Sequence, residues 1–274
     1  MSVTPFSVLI SLYHAEKSNH LNLCLTSLYE QKLRADEVVL VLDGEVSFEL
    51  HQVINDWAEL LNIKVFPLQH NVGLSKALNY GLSFCNYDLV ARMDTDDIST
   101  YYRFEEQVKF MTLNENVDIV GTFSEDISES GKILGLRKVP ISHDDILKNI
   151  WACPIIHPSV MFRKAKILEI GSYSETAPHR QDDYELWIRA ANNNAVFANI
   201  PKTLIQYRIP DNAYKKNTVM VGINRARIGF KAVCKYDPRL LAFLGLLYPL
   251  IRAMLPQFLQ VKLVAIASKL DPRS

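Results

Sequence analysis

No glycine-rich phosphate loop occurs in this chain of 274 residues. GxGxxG does not follow the first apolar run, and GxxxxGK[ST] is found nowhere, which weighs against dinucleotide-binding and P-loop chemistry. Cysteine is sparse. Cys24, Cys85, Cys153 and Cys234 form no CxxC pair and have no histidine at zinc-ligand spacing, so buried, reduced thiols are expected rather than a disulfide frame or a zinc site. Neither charge sign is in excess: 30 Lys/Arg balance 30 Asp/Glu, and nothing calls for a nucleic-acid partner. The N-terminus lacks a basic segment followed by a signal-length apolar stretch, so secretion is not expected. No internal repeat and no low-complexity linker interrupts the chain.

What is present is an alternating rhythm. Apolar, β-branched runs read as strands at Phe6–Leu12, Glu37–Leu42, Ile63–Leu68, Leu89–Met93 and Val117–Val120. Between them, segments near Leu21–Glu30, Phe48–Leu61, Leu74–Phe84 and Arg103–Leu113 carry apolar residues at helical spacing. Strands alternating with helices predict an α/β domain with a mostly parallel sheet covered on both faces. In such sheets ligands gather at the carboxyl ends of the strands. Polar clusters fall there: Ser11 and Tyr13 after the first strand, Asp43-Gly44 after the second, Asn71 and Gly73 after the third.

The fourth strand ends in "RMDTDDIS", with Asp94, Asp96 and Asp97 within four residues. In an extended segment residues i and i+2 point the same way, so Asp94 and Asp96 share a side while Thr95 faces the other. Two close carboxylates suit a hard divalent cation such as Mg²⁺ or Mn²⁺, with Asp97 in support. The alternative is a solvated loop in which Asp97 or Ser99 caps the next helix.

With "NVGLSKALNYGL" ahead of it and "RFEEQVKFM" behind, this stretch resembles the family 2 glycosyltransferases of the GT-A fold, most of all the amylovoran-like branch that builds bacterial exopolysaccharides and O-antigens. The resemblance spans about Phe6 to Arg208 through five motifs in the family's order. It implies a Rossmann-like GT-A domain at 1–212, with a nucleotide-sugar half to about 122 and an acceptor half from 123. It implies donor contacts at Ser11, Leu12, Tyr13, Asp43, Asn71, Gly73, Lys76, Asn79, Arg92, Asp94 and Thr95, and a metal ligand at Asp96 with Asp94 and Asp97 supporting. Asp43 would accept the imide N–H of uracil, unless it serves only an Asp-Gly turn. Arg103 and Gln107 match "RFxxQ", where a structural role and a donor contact stand level. In "IIHPSVMF", His157 would lie near the diphosphate or the acceptor. In "RQDDYELW", Asp183 matches the catalytic base, and Asp182 stands where the family more often has Glu. Both acids also suit a helix N-terminus, and Leu186 and Trp187 behind them read as core. Arg208 of "LIQYR" would approach the diphosphate.

From Arg225 onward the chain carries nine Lys/Arg against two Asp/Glu. Leu240–Val261 is apolar apart from Arg252, Gln257 and Gln260, and its longest uncharged run is 12 residues, short of the ~20 that span a bilayer. Apolar faces with basic flanks, including Lys262 and Lys269, suit helices lying on an anionic membrane surface. The alternative for this extension, 213–274, is a helical pair packed on the catalytic body or in a homodimer. The expected activity is transfer of a hexose, Glc or Gal, from a UDP-sugar to a saccharide-diphosphate-lipid. It would be inverting and metal-dependent, at the cytoplasmic face of the bacterial inner membrane. The rivals are a sugar-nucleotide nucleotidyltransferase and a non-catalytic nucleotide-sugar binding module.

Overall fold

The first four strands form where short apolar runs are stopped by turn residues. They are β1 (Phe6–Leu12), β2 (Glu37–Leu42), β3 (Ile63–Pro67) and β4 (Leu89–Met93), linked by helices α1 (Ser18–Tyr29), α2 (Phe48–Ala58) and α3 (Leu74–Phe84). The computed structural model describes residues 4–211, 218–256, 259–260 and 271–273. β1 pairs in parallel with both β2 and β4, and β2 with β3. Successive residues of a strand feed opposite cores. Leu9, Val39 and Val90 join one buried cluster, and Val8, Leu40 and Ala91 the other. Each such side chain removed from water contributes about 1.5–3 kcal/mol.

The second half departs from the simple alternation. After β5 (Ile98–Ser99), α4 (Arg103–Leu113), β6 (Ile119–Ser128) and β7 (Ile133–Arg137) come α5 (His143–Lys148), β8 (Met161–Arg163), α6 (Lys164–Glu169), α7 (Asp182–Asn192) and β9 (Phe197–Ile209). β8 inserts antiparallel between β4 and β6, so the strand order is β3-β2-β1-β4-β8-β6-β9-β5, with β7 on β6. The sheet is therefore mixed, parallel through its N-terminal half. Three residues are too few for any periodicity, which is why β8 escaped the sequence pattern. β6 also runs past the expected end at Val120 and carries through the boundary expected near 122.

The extension forms α8 (Val219–Tyr236) and α9 (Leu240–Met254), which pack on each other and on a turn at Ile150–Ala152. Glycine permits the close approach. A Cβ on Gly245 would lie 2.1 Å from the Trp151 ring, and one on Gly229 would lie 2.2 Å from the Tyr184 hydroxyl. Ala232, Val233, Ala242 and Leu246 enter the same core as Trp187 and Phe162. The outer side of α9 leaves Leu240, Leu244, Leu247, Ile251 and Met254 exposed at three- and four-residue spacing. Among the described residues no helix is long and apolar enough to cross a membrane. Lys262 and Lys269 lie outside the described residues. The thiols differ from expectation. All four are free, yet only Cys24 and Cys85 are buried, Cys153 is half-buried and Cys234 is exposed.

Candidate active site

The carboxyl end of β4 and the loop between β3 and α3 open onto a cleft of about 1110 Å³, closed on the far side by the start of α7 and by α8. β4 delivers Arg92 and Asp94 to it, and the turn that follows delivers Asp96. Both acids line the cleft, whereas Thr95 turns away and donates to Glu16 at 2.5 Å; the opposed directions expected of an extended segment are met in a turn, since β4 ends at Met93. Asp97 lies beneath, wholly buried. One of its oxygens accepts the Arg208 amide at 2.7 Å and the other has no partner. The helix-cap alternative fails here. α4 starts without a side-chain cap, Asp97 is out of solvent, and Ser99 lies in β5, where its hydroxyl accepts from Arg103.

Two of these carboxylates are raised by burial and by their acidic neighbours. Burial first, then the charges of Asp94 and Glu16, push Asp96 up to about 7. Burial, then Asp96 and Asp94, push Asp97 well above the usual range. Arg92 relieves part of this. It is 2% exposed, forms an ion pair with Asp94, and keeps two guanidinium nitrogens unpartnered at the cleft wall. Arg208 arrives on β9 and bonds the carbonyls of Asp96, Ser128 and Glu129 at 2.8–3.0 Å, with its remaining nitrogen unpartnered. The acids fit a hard divalent cation. Oxygens of Asp94, Asp96 and Asp97 lie within 4.8 Å of one another, all the donors are carboxylate, and one Asp97 oxygen is orphaned.

Beneath the cluster Arg103 acts as a brace. Fully buried, it donates to the carbonyls of Arg92 and Pro158 at 2.7 and 2.8 Å and to Gln107 at 3.1 Å, while Gln107 reaches the Ser159 carbonyl at 2.8 Å. Both "RFxxQ" residues thus tie β4 to the His157–Ser159 turn and neither lines the cleft. That turn presents His157, whose Nε2 meets the Tyr173 hydroxyl at 2.8 Å. Burial and the charge of Arg92 hold its pKa well below normal, so the imidazole is neutral.

The other expected donor residues divide. Asn71, Gly73 and Lys76 line the cleft. Tyr13 is half-exposed beside the acids, and burial, Glu16, Asp96 and Asp94 raise its phenol. Ser11 is half-buried at the strand end and the Leu12 side chain is in the core; neither is among the residues that line the cleft. Asp43 accepts the amides of Val72 and Gly73 at 2.6 and 3.1 Å. It clamps the loop that carries Asn71, and contact with a base would use its remaining lone pairs. The Asn79 amide is occupied on both sides by the Tyr173 backbone at 2.9 Å, so it holds a loop and does not line the cleft.

On the far wall Asp182 and Asp183 open α7, where free N–H groups and the helix dipole favour negative charge. Asp182 accepts from Ser75 at 2.6 Å. Asp183 accepts the Tyr184 amide at 2.7 Å and sits 3.7 Å from the Cys153 sulfur. Burial raises its carboxyl, against the Tyr184 amide and the charge of Arg225, which lower it. Burial, then the charge of Asp183, push Cys153 up to about 12, so it stays a thiol and donates. Leu186 and Trp187 are fully buried. Cys153, Arg137 and Arg225 were not singled out as site residues in the sequence. The only signal for Arg225 was that the basic stretch begins there.

The sequence profile of Glycosyl transferase family 2 matches residues 7–171, more than half of the chain. The chain belongs to glycosyltransferase family 2. Among family 2 relatives it is 44% identical over 208 residues to the amylovoran biosynthesis glycosyltransferase AmsE of Erwinia amylovora, covering 74% of this chain and 76% of that one. It is 37% identical over 212 residues to the Escherichia coli UDP-Gal:alpha-D-GlcNAc-diphosphoundecaprenol beta-1,3-galactosyltransferase, covering 77% and 76%. The fold of this family 2 chain is shared by S. aureus TarS 1-349 in complex with UDP-GlcNAc, at a TM-score of 0.63 and 18% identity over 98% of this chain and 86% of that one.

Proposed function

We propose that this family 2 enzyme transfers a hexose, Glc or Gal, from a UDP-sugar to a saccharide on a lipid diphosphate, with inversion, in bacterial O-antigen or exopolysaccharide synthesis. The observation that carries the reading is that one cleft is lined by two acidic groups from distant parts of the chain, Asp94 with Asp96 and Asp182 with Asp183. The relative that uses UDP-Gal and a diphosphoundecaprenol acceptor supports the choice of substrates.

In this reading Asp183 accepts the proton of the acceptor hydroxyl as that oxygen attacks the anomeric carbon, and the bond from that carbon to the UDP oxygen breaks on the opposite face. Its raised pKa makes it a stronger base than an exposed carboxylate, and the Tyr184 amide and the charge of Arg225 favour its ionised form. Arg92 and Arg208, each with unpartnered nitrogens, add positive charge for the departing diphosphate. Asp96, with Asp94 and Asp97, would hold Mn²⁺ or Mg²⁺, which when bound neutralises charge on the leaving group. Neutral His157 is a hydrogen-bonding wall and not an acid. Asn71, Gly73 and Lys76 face the nucleotide-sugar. The exposed stripe of α9, with Arg252 on the same helix, supports peripheral contact with the inner membrane, where such an acceptor resides.

The test is to incubate the protein with a panel of UDP-sugars, Mn²⁺ and GlcNAc- or GalNAc-diphosphate-lipid, reading UDP release and product mass. One added hexose, lost on adding EDTA, is the expected result. The absence of both UDP release and Mn²⁺-dependent UDP binding, with every donor in the panel, would overturn the proposal.

A further inference from the structure

Arg225 stands on α8, within the extension, yet it lines the cleft. Its guanidinium is fixed from two directions. One nitrogen donates to the Trp151 carbonyl at 2.9 Å, and its carbon lies 4.3 Å from the centre of the Tyr184 ring. Gly229, one turn further along α8, clears the space that lets Tyr184 lie against the helix. Among the described residues no carboxylate pairs with Arg225. Arg137 and Arg273, which line the same cleft, are paired with Asp126 and Asp271. A held guanidinium with most of its N–H donors free is suited to the oxygens of a phosphate.

Its place along the cleft is set by its contacts: it lies over the ring of Tyr184, next to Asp183 on α7, and reaches the Trp151 carbonyl two residues before Cys153. Arg92 acts on Asp94, Asp97 and His157, on the strand side. Arg225 and Arg273 act on Cys153, on the α7 side. Asp183 lies between, felt by both Arg225 and Arg92. In the proposed function the donor diphosphate is served by the strand side, which leaves Arg225 as the cation of the α7 side that no carboxylate pairs with among the described residues. A saccharide on a lipid diphosphate carries that group at its reducing end, one sugar ring from the attacking hydroxyl.

The geometry points to Arg225, with Arg137 and Arg273 adding charge, as an anion subsite that holds the diphosphate of the acceptor on the far side of Asp183 from the donor. This rests on the acceptor class proposed above. It adds that the enzyme recognises the acceptor's diphosphate through its C-terminal extension, not only its sugar.

The test compares two acceptors in saturating Mn²⁺ and UDP-sugar: GlcNAc-diphosphate-lipid and a neutral alkyl glycoside of GlcNAc. The readout is the ratio of their kcat/KM values. Wild type is expected to favour the diphosphate. Arg225→Gln is expected to cut that preference by about tenfold or more, mainly through KM for the diphosphate acceptor, and Arg225→Lys to restore part of it. Should Arg225→Gln fail to fold, as read by its thermal transition, Arg225→Lys still reports, because it keeps the charge and loses the fork. An equal fall for both acceptors would make Arg225 a packing pin and overturn the subsite, as would a wild type with no preference for the diphosphate. Absence of transfer by wild type to either acceptor would instead overturn the proposed function.

Discussion

Asp94, Asp96 and Asp97 share one turn after β4, while Asp182 and Asp183 share the first turn of α7. Among the described residues the strand group has one ion-paired counter-charge, Arg92 on Asp94. Asp96 and Asp97 are raised by burial and by their acidic neighbours, and a buried Asp97 oxygen has no partner. The helix group is already compensated: Asp182 by Ser75, Asp183 by the Tyr184 amide and the nearby charge of Arg225. A group left short of positive charge suits a cation. A group that is compensated and half-buried suits a proton. In the proposed function the same residue type serves two chemistries because a strand end crowds its acids, whereas a helix start supplies them with amides.

The contrast can be broken where it is sharpest. Asp183→Asn keeps the volume and removes the proton acceptor. Turnover should fall about 10²–10⁴-fold while Mn²⁺-dependent UDP affinity is unchanged, as titration calorimetry would show. Normal turnover would put the base elsewhere. Asp96→Ala should do the reverse, weakening UDP binding in Mn²⁺ by at least roughly 10–100-fold. Equal affinity in the variant would remove the cation from that turn. Arg103→Ala strips hydrogen bonds from two buried carbonyls and should cost about 2–4 kcal/mol, read as a lower denaturant midpoint. A neutral result would mean water replaces the brace. The pH profile sharpens the helix side. Burial raises Asp183, and only the ionised form accepts a proton, so kcat/KM is present above its folded-state pKa and lost below it. With cation saturating, the acid limb should lie above the ordinary carboxylate value of ~4, and a limb at that value would contradict its burial. The smallest effect is expected from Ser75→Ala, about 1 kcal/mol or roughly fivefold in kcat; a loss as large as that of Asp183→Asn would make Asp182 the base.

The strand side was the more legible in the sequence. β1, β2, β4, α3 and α4 lie where the apolar runs placed them, because each is a local pattern ended by a local stop. The opposed directions of Thr95 and its neighbours were expected from strand alternation and are observed, but in a turn beyond the end of β4. What did not follow was anything carried by distant contacts. Asp43 and Asn79 have the residue types of ligand contacts, but their partners, the amides at 72–73 and the backbone of Tyr173, are set by tertiary placement. β8 is too short to show a period. Cys153 looked like a buried thiol because its neighbour Asp183 lies thirty residues away. The extension read as a membrane element because its apolar outer side and its basic charge are local, whereas Arg225 reaches the cleft only through glycine contacts that no pattern displays.

Arg103 has one further consequence. By bonding the carbonyls before the acidic turn and within the histidine turn, it makes the floor of the cleft a single stiff piece. Loops mounted on a stiff piece can change length and sequence without disturbing it. Sugar preference can therefore drift along the rim at 174–180, whose Ser174, Glu175, Ala177, His179 and Arg180 line the opening, while the acids below keep their spacing. Such a floor is a platform for diversification: under the proposed function, exchanging that rim between relatives should change which sugar is moved before it changes whether one is moved at all.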